Sequence, residues 1–165
     1  MTRRWVWALG VLGVVMASII SLILILEFIA NRDAHQEAQA RVERGVHLYL
    51  NAAYPEAQDD FRRVMQLDPG EWKAPFYMGI IKIHLNNYTM AIPFLERALT
   101  LNPSEPKIAN ALGVAYFKLG RLDMAKGYYG ATLELDPGNK DAKSLFRAMA
   151  KVQRRAELAT VTETE

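Results

Sequence analysis

The chain has no cysteine among its 165 residues. That absence removes disulfide frameworks, thiolate metal sites and cysteine nucleophiles together. Excess charge of either sign is missing too, since 20 Lys and Arg stand against 18 Asp and Glu, a net charge of +2. Nucleic-acid binding normally shows a concentrated basic face, so no such partner is expected. Histidine is scarce, and His35, His47 and His84 are far apart with no second metal ligand three or four residues after any of them. There is no glycine loop of the kind that cradles phosphate. Neither a catalytic residue, a metal nor a cofactor is expected. The last absences are local: no charge falls between Trp5 and Leu26, and no glycine or proline between Gly13 and Gly45.

The uncharged stretch runs from Trp5 to Leu26. As a helix rising about 1.5 Å per residue it spans about 33 Å, enough for a hydrocarbon core of about 30 Å. The sequence therefore predicts a transmembrane anchor over residues 1–29, followed by a helical linker over 30–37. A cleaved signal peptide has a shorter apolar region, and the nearest small-x-small pattern, Ala38-Gln39-Ala40, lies well past the run. Arg3 and Arg4 precede the span, while Glu27, Arg32, Asp33 and Glu37 follow it with net negative charge. By the positive-inside rule the N-terminus is cytoplasmic and the remainder exported, with Trp5 and Trp7 at the headgroup level. Gly13, Ala17 and Ser21 share one face of this helix, a small-xxx-small pattern through which a second membrane helix, including a second copy, would approach.

Beyond residue 37 the sequence repeats. Asp68-Pro69, Asn102-Pro103 and Asp136-Pro137 recur at one constant spacing. Gly45, Gly79 and Gly113 keep the same period, as do Ala57, Ala91 and Ala125, the larger residues Phe61, Leu95 and Tyr129, and Leu67, Leu101 and Leu135. A period of this length, about 34 residues, is that of a helix-turn-helix solenoid. Small residues let paired helices approach, large ones fill the layer between them, and proline ends the second helix of each pair. Pro55 fits a first-turn proline and Asp123 an N-cap, while Pro75 and Pro93 fall near helix starts. Asp59-Asp60, on the second helix of the first unit, reads as a solvated face. Lys140 to Gln153 has apolar residues at helical spacing and fits a helix that closes the stack. Ala156 to Glu165 reads as a disordered tail.

These residues resemble the tetratricopeptide-repeat family. The third unit matches best, with Leu112-Gly113, Tyr116, Ala125, Tyr129 and Pro137; the second has Lys82 in place of an aromatic; the first, with Arg44-Gly45 and Leu48, is weakest. The resemblance implies an all-α fold: the transmembrane helix, then three helix pairs at 38–71, 72–105 and 106–139, then a capping helix at 140–155. It also implies a concave groove lined by the first helix of each pair. Carried onto this chain, the groove candidates are Tyr49, Lys73, Phe76, Tyr77, Ile80, His84, Lys107, Asn110 and Phe117. Their apolar and aromatic character suits a peptide or amphipathic helix of a protein partner, with the lysines favouring an acidic one. Of the positions with which some family members clamp a chaperone's C-terminal carboxylate, only Lys107 matches. Val42, Val46, Tyr77 and Ala111 replace the others.

The expected function is a non-catalytic adaptor in a bacterial inner membrane, with its solenoid in the periplasm and another envelope protein in the groove. A second reading is a self-associating structural subunit held by Gly13, Ala17 and Ser21. A third is a receptor on an organelle surface.

Overall fold

The protein, as a computed structural model, is described here for the backbone of residues 2–162 and the side chains of residues 16–151. Seven helices follow one another: α1 Thr2–Leu50, α2 Tyr54–Leu67, α3 Lys73–His84, α4 Tyr88–Leu101, α5 Pro106–Lys118, α6 Leu122–Leu135 and α7 Lys140–Thr162. The end of α1 pairs with α2, α3 with α4, and α5 with α6; each pair packs on the next, and α7 lies against α6. Residues 30–37 are helical because nothing between Gly13 and Gly45 breaks the backbone, and Ala, Glu, Gln and Arg there are good helix formers.

The membrane anchor has to be corrected. Among the described residues no helix is long and apolar enough to cross a membrane. The part of the expected span with described side chains starts at Met16. The side chains from Trp5 to Val15, Gly13 included, lie outside the described residues. The single-pass inner-membrane assignment, with its cytoplasmic N-terminus and periplasmic solenoid, rested on that span and falls with it. What the structure does show is that Met16 to Ile29 presents exposed apolar side chains, with Ala17 and Ser21 exposed among them.

Within the solenoid the sequence period is an arrangement of contacts. A methyl group on Gly45 would lie 2.8 Å from the Phe61 ring, one on Gly79 2.5 Å from Leu95, and one on Gly113 2.7 Å from the Tyr129 ring. Phe61, Leu95 and Tyr129 are fully buried, so each glycine is the socket for the large residue of its own pair. The core is two clusters, one around Phe61, Val64, Met78 and Ile81, the other running from Phe76 through Leu95 and Leu112 to Met149 of α7. Burial pushes the Tyr129 phenol up to about 12.

The turns repeat as well. Ala52, Asn86 and Gly120, each one period after the last, have φ of 57°, 58° and 73°. The amides of Ala53, Asn87 and Arg121 reach back to the carbonyls of Leu48, Lys82 and Tyr116 at 2.9, 2.8 and 2.9 Å. Those of Ala52, Asn86 and Gly120 bond Tyr49, Ile83 and Phe117. This is the Schellman closure, which needs a left-handed residue after the helix. At the opposite end, Asp68 and Asp136 accept the amides of Gly70 and Gly138 at 3.1 and 3.0 Å, side-chain turns that steer the chain into the next pair.

Four smaller readings change. Pro93 lies inside α4, beyond the first turn, so the helix loses one backbone bond there. Asp123 sits in the first turn of α6, and Arg121 is the N-cap. Helix α7 continues to Thr162, past the expected start of a disordered tail; Ala156, Glu157, Leu158 and Ala159 are good helix formers and extend a helix that packing has already nucleated. Asp60 is not solvated: it is 1% exposed. Arg44 forks it through Nε at 2.6 Å and through Nη2, and Arg41 Nη1 adds a third contact at 3.1 Å. The Arg44 guanidinium holds the Asp60 carboxyl below its usual range, with Arg41 assisting. Finally, α7 carries Arg147 one period after Gly113, where α1, α3 and α5 all have glycine.

Candidate functional site

The first helices of the three pairs lie side by side, α1 against α3 and α3 against α5. Tyr49 comes from the end of α1, Phe76, Tyr77, Ile80 and His84 from α3, and Asn110 and Phe117 from α5. The rings join into a run. Trp72 and Phe76 centroids are 5.8 Å apart, Phe76 and Tyr77 5.2 Å in an edge-to-face contact, and Tyr77 and Tyr49 5.3 Å. Tyr49 then meets His84 at 5.7 Å, and Tyr54 stacks on His84 at 5.9 Å. Tyr77 also stacks on Phe61 at 5.3 Å, which ties the run to the core. A hydrogen bond of 3.0 Å joins Tyr49 Oη to His84 Nε2.

Exposure sorts the candidates. Phe76 is buried and belongs to the core, while Tyr49, Tyr77 and Ile80 are half-buried and His84 is exposed. Tyr49 therefore offers an apolar ring with a polar tip, and partial burial, with Tyr54 and Tyr77 beside it, raises its phenol above the ordinary value. Phe117 is 36% exposed at the far end of α5 and does not join the ring run. Asn110 is half-buried, and its Oδ1 is enclosed without a hydrogen-bond partner.

The two lysines at the starts of α3 and α5 have acidic neighbours. Lys73 and Lys107 both open helices whose first turns are held by a preceding glutamate: Glu71 accepts the Lys73 amide at 3.0 Å and Glu105 the Lys107 amide at 3.3 Å. Each lysine thus has a carboxylate two residues away, and the attraction for an acidic partner is reduced. Two members of the site escaped the sequence reading, Trp72 and Tyr54. Tyr54 follows the left-handed Ala52, and that turn folds its ring back onto His84; the period of 52, 86 and 120 was the available signal. Among the described residues no group of His, Asp and Glu could hold a metal ion.

Comparison with known proteins fits this geometry. Residues 83–152 match the family model described as a tetratricopeptide repeat. This segment of the chain is a tetratricopeptide repeat. Human RNA polymerase II-associated protein 3 is 30% identical over 115 residues, 70% of this chain but 17% of that protein. Mouse protein arginine N-methyltransferase 9 is 28% identical over 104 residues, 12% of its length. The chain thus spans less than a fifth of these curated relatives. Photosystem I assembly protein Ycf3 of Cyanophora paradoxa is 28% identical, with 70% of this chain and 77% of the relative covered. Among solved structures, the first tetratricopeptide domain of Spaghetti (RPAP3), bound to the HSP90 peptide SRMEEVD, superposes with a TM-score of 0.69 at 28% identity, covering 72% of this chain and 94% of that one.

Proposed function

We infer that this tetratricopeptide-repeat chain is a non-catalytic adaptor whose concave face holds a peptide or amphipathic helix of another protein. The observation that carries the reading is the run of half-buried Tyr77, Tyr49 and Tyr54 rings with exposed His84, an apolar surface in which Tyr49 Oη is hydrogen-bonded to His84 Nε2. Aromatic residues of this amphipathic kind are enriched at the centre of protein interfaces. The similarity to a repeat domain that takes an HSP90 peptide supports the class of activity.

The residues of this groove argue against a chaperone-tail receptor. At the positions where the family resemblance puts the carboxylate-binding set, Val42 and Ala111 are buried, Val46 and Tyr77 are half-buried, and Lys107 alone is cationic. An apolar wall offers no hydrogen bond to a terminal carboxylate, and a buried unpaired charge is strongly unfavourable. The partner is therefore held along an internal apolar segment.

Two measurements test this. A photo-crosslinking residue at Tyr49 captures the partner in the source cells, one at Thr100 on α4 does not, and Phe117→Glu lowers capture while leaving the far-UV helical signal unchanged. Equal capture from both positions would overturn the concave site. Titration with labelled SRMEEVD peptide gives no saturable binding, and micromolar binding would overturn the internal-segment assignment.

A further inference from the structure

The two edges of the solenoid differ. On one, the chain passes between pairs through the polar turns Asp68-Pro69-Gly70, Asn102-Pro103-Ser104 and Asp136-Pro137-Gly138, beside which two large apolar side chains are exposed, Leu101 at 37% and Leu135 at 45%. On the other, it passes within each pair through the left-handed turns, and there large apolar side chains stand in solvent. Leu50, Leu85, Met90, Leu119, Leu122 and Met124 are between 36% and 73% exposed. Leu85 and Leu119 are one period apart, as are Met90 and Met124, so the repeat geometry places them in rows along one edge. Their combined exposed surface is on the order of 500 Å², at the upper end of what a monomer's largest apolar patch usually covers. It also matches the apolar share of a standard interface, which buries about 800 Å² per partner with rather more than half of it apolar.

Charge along this edge is graded. The equivalent windows 50–56, 84–90 and 118–124 carry −1 from Glu56, zero, and +1 from Lys118 and Arg121 against Asp123, with histidine neutral. Such an edge is self-complementary in one arrangement only. Laid against a second copy in the same direction, like charges meet; turned end for end about a two-fold axis at the middle turn, Glu56 of each copy meets Lys118 and Arg121 of the other. Closed two-fold pairing of this sort uses one patch twice and ends at two chains.

We propose that this edge is a homodimer interface in which two chains pair antiparallel through their within-pair turns. The edge borders the ring run, since Tyr54 and His84 fall within the same windows, but none of its six exposed apolar residues belongs to that run.

The chain's lack of cysteine makes the test direct. In the antiparallel dimer the middle turn meets its own copy. Asn87 is exposed and makes no side-chain cap bond. Full-length Asn87→Cys therefore forms a disulfide-linked dimer under mild oxidation, whereas Ser104→Cys on the opposite edge does not. Sedimentation of the unmodified full-length chain shows a concentration-dependent particle of twice 18.6 kDa. Glu56→Arg weakens that association about tenfold, and Glu56→Arg with Arg121→Glu restores it, since close charge pairs across an interface are coupled. A single-chain mass throughout, equal crosslinking at 87 and 104, or a charge exchange without recovery would each overturn the proposal. Association through the exposed apolar face of α1 belongs to the second of these outcomes.

Discussion

Gly79→Ala and Gly127→Ala are the same chemical change in two helices of one solenoid, and their effects should have opposite signs. Both glycines are helical with ordinary φ, so alanine gains about 1 kcal/mol of helix propensity at either position. At Gly127 nothing lies within 4 Å of the added methyl, and that gain is the whole effect. At Gly79 the methyl would sit 2.5 Å from Leu95 Cγ, 2.6 Å from its Cδ2 and 3.3 Å from the Ala91 carbonyl oxygen. Leu95 is fully buried and Cγ is its branch point, so the side chain cannot swing only its tip aside. Overpacking of this kind costs about 1–3 kcal/mol, and the branched neighbour puts it near the upper end. The net is a loss of about 2 kcal/mol for Gly79→Ala against a gain of about 1 kcal/mol for Gly127→Ala. Thermal unfolding followed by far-UV circular dichroism reads this as midpoints moved in opposite directions, each kcal/mol being worth roughly 2–4 °C in a chain of 165 residues. Leu95→Ala alone opens a cavity costing about 2–5 kcal/mol. Adding Gly79→Ala to it should cost nothing more, because the methyl then occupies the vacated space. If Gly79→Ala stabilises as Gly127→Ala does, or if its cost simply adds to that of Leu95→Ala, the glycine is not a packing socket and the explanation of the period is wrong.

Two further outcomes concern the first pair. Asp60→Asn should destabilise by about 2 kcal/mol in urea unfolding, since the buried carboxylate loses charge-assisted hydrogen bonds while the Arg44 guanidinium, 63% exposed, keeps its water. The pH dependence has a definite sign: the folded carboxyl of Asp60 lies below its unfolded value, so its stabilisation is complete above about pH 4 and is lost as pH falls through the folded value. In Asp60→Asn that acid-side loss should flatten, and an unchanged acid profile would remove Asp60 from the account. Ala52→Gly should raise stability by up to about 1 kcal/mol, because alanine at φ 57° is strained and glycine is not; a lower unfolding midpoint would show that the turn is not strained.

Much of the solenoid could be read from the sequence because a constant period is a statement about packing. Gly79 and Leu95 keep the separation of Gly45 from Phe61 and of Gly113 from Tyr129, since in every unit one must receive the other. Burial of Asp60 was not read, because two adjacent acids on a helix look solvated and their neutralising partner, Arg44, stands on the preceding helix. Yet the period carried a warning: the equivalents of Asp60 are Phe94 and Tyr128, both large and partly buried, so an acid there requires a counter-charge. The candidate site was half legible. Tyr49, Tyr77 and His84 do come together, but the split of Phe76 from the groove depends on the twist between helix pairs, which no local pattern encodes. The membrane span failed differently, since apolar length along a sequence reports what a helix avoids and not what it crosses.

Arg147 bears on how such an array can lengthen. A second helix docks on a first only where its large residue finds a glycine, and α7 presents a guanidinium there instead. Further pairs could not be stacked beyond α7 by copying the unit onto its end. Copies inserted between the second and third units would meet a matching surface on both sides. Growth by duplication is therefore confined to the interior of the array, and Arg147 acts as its stop.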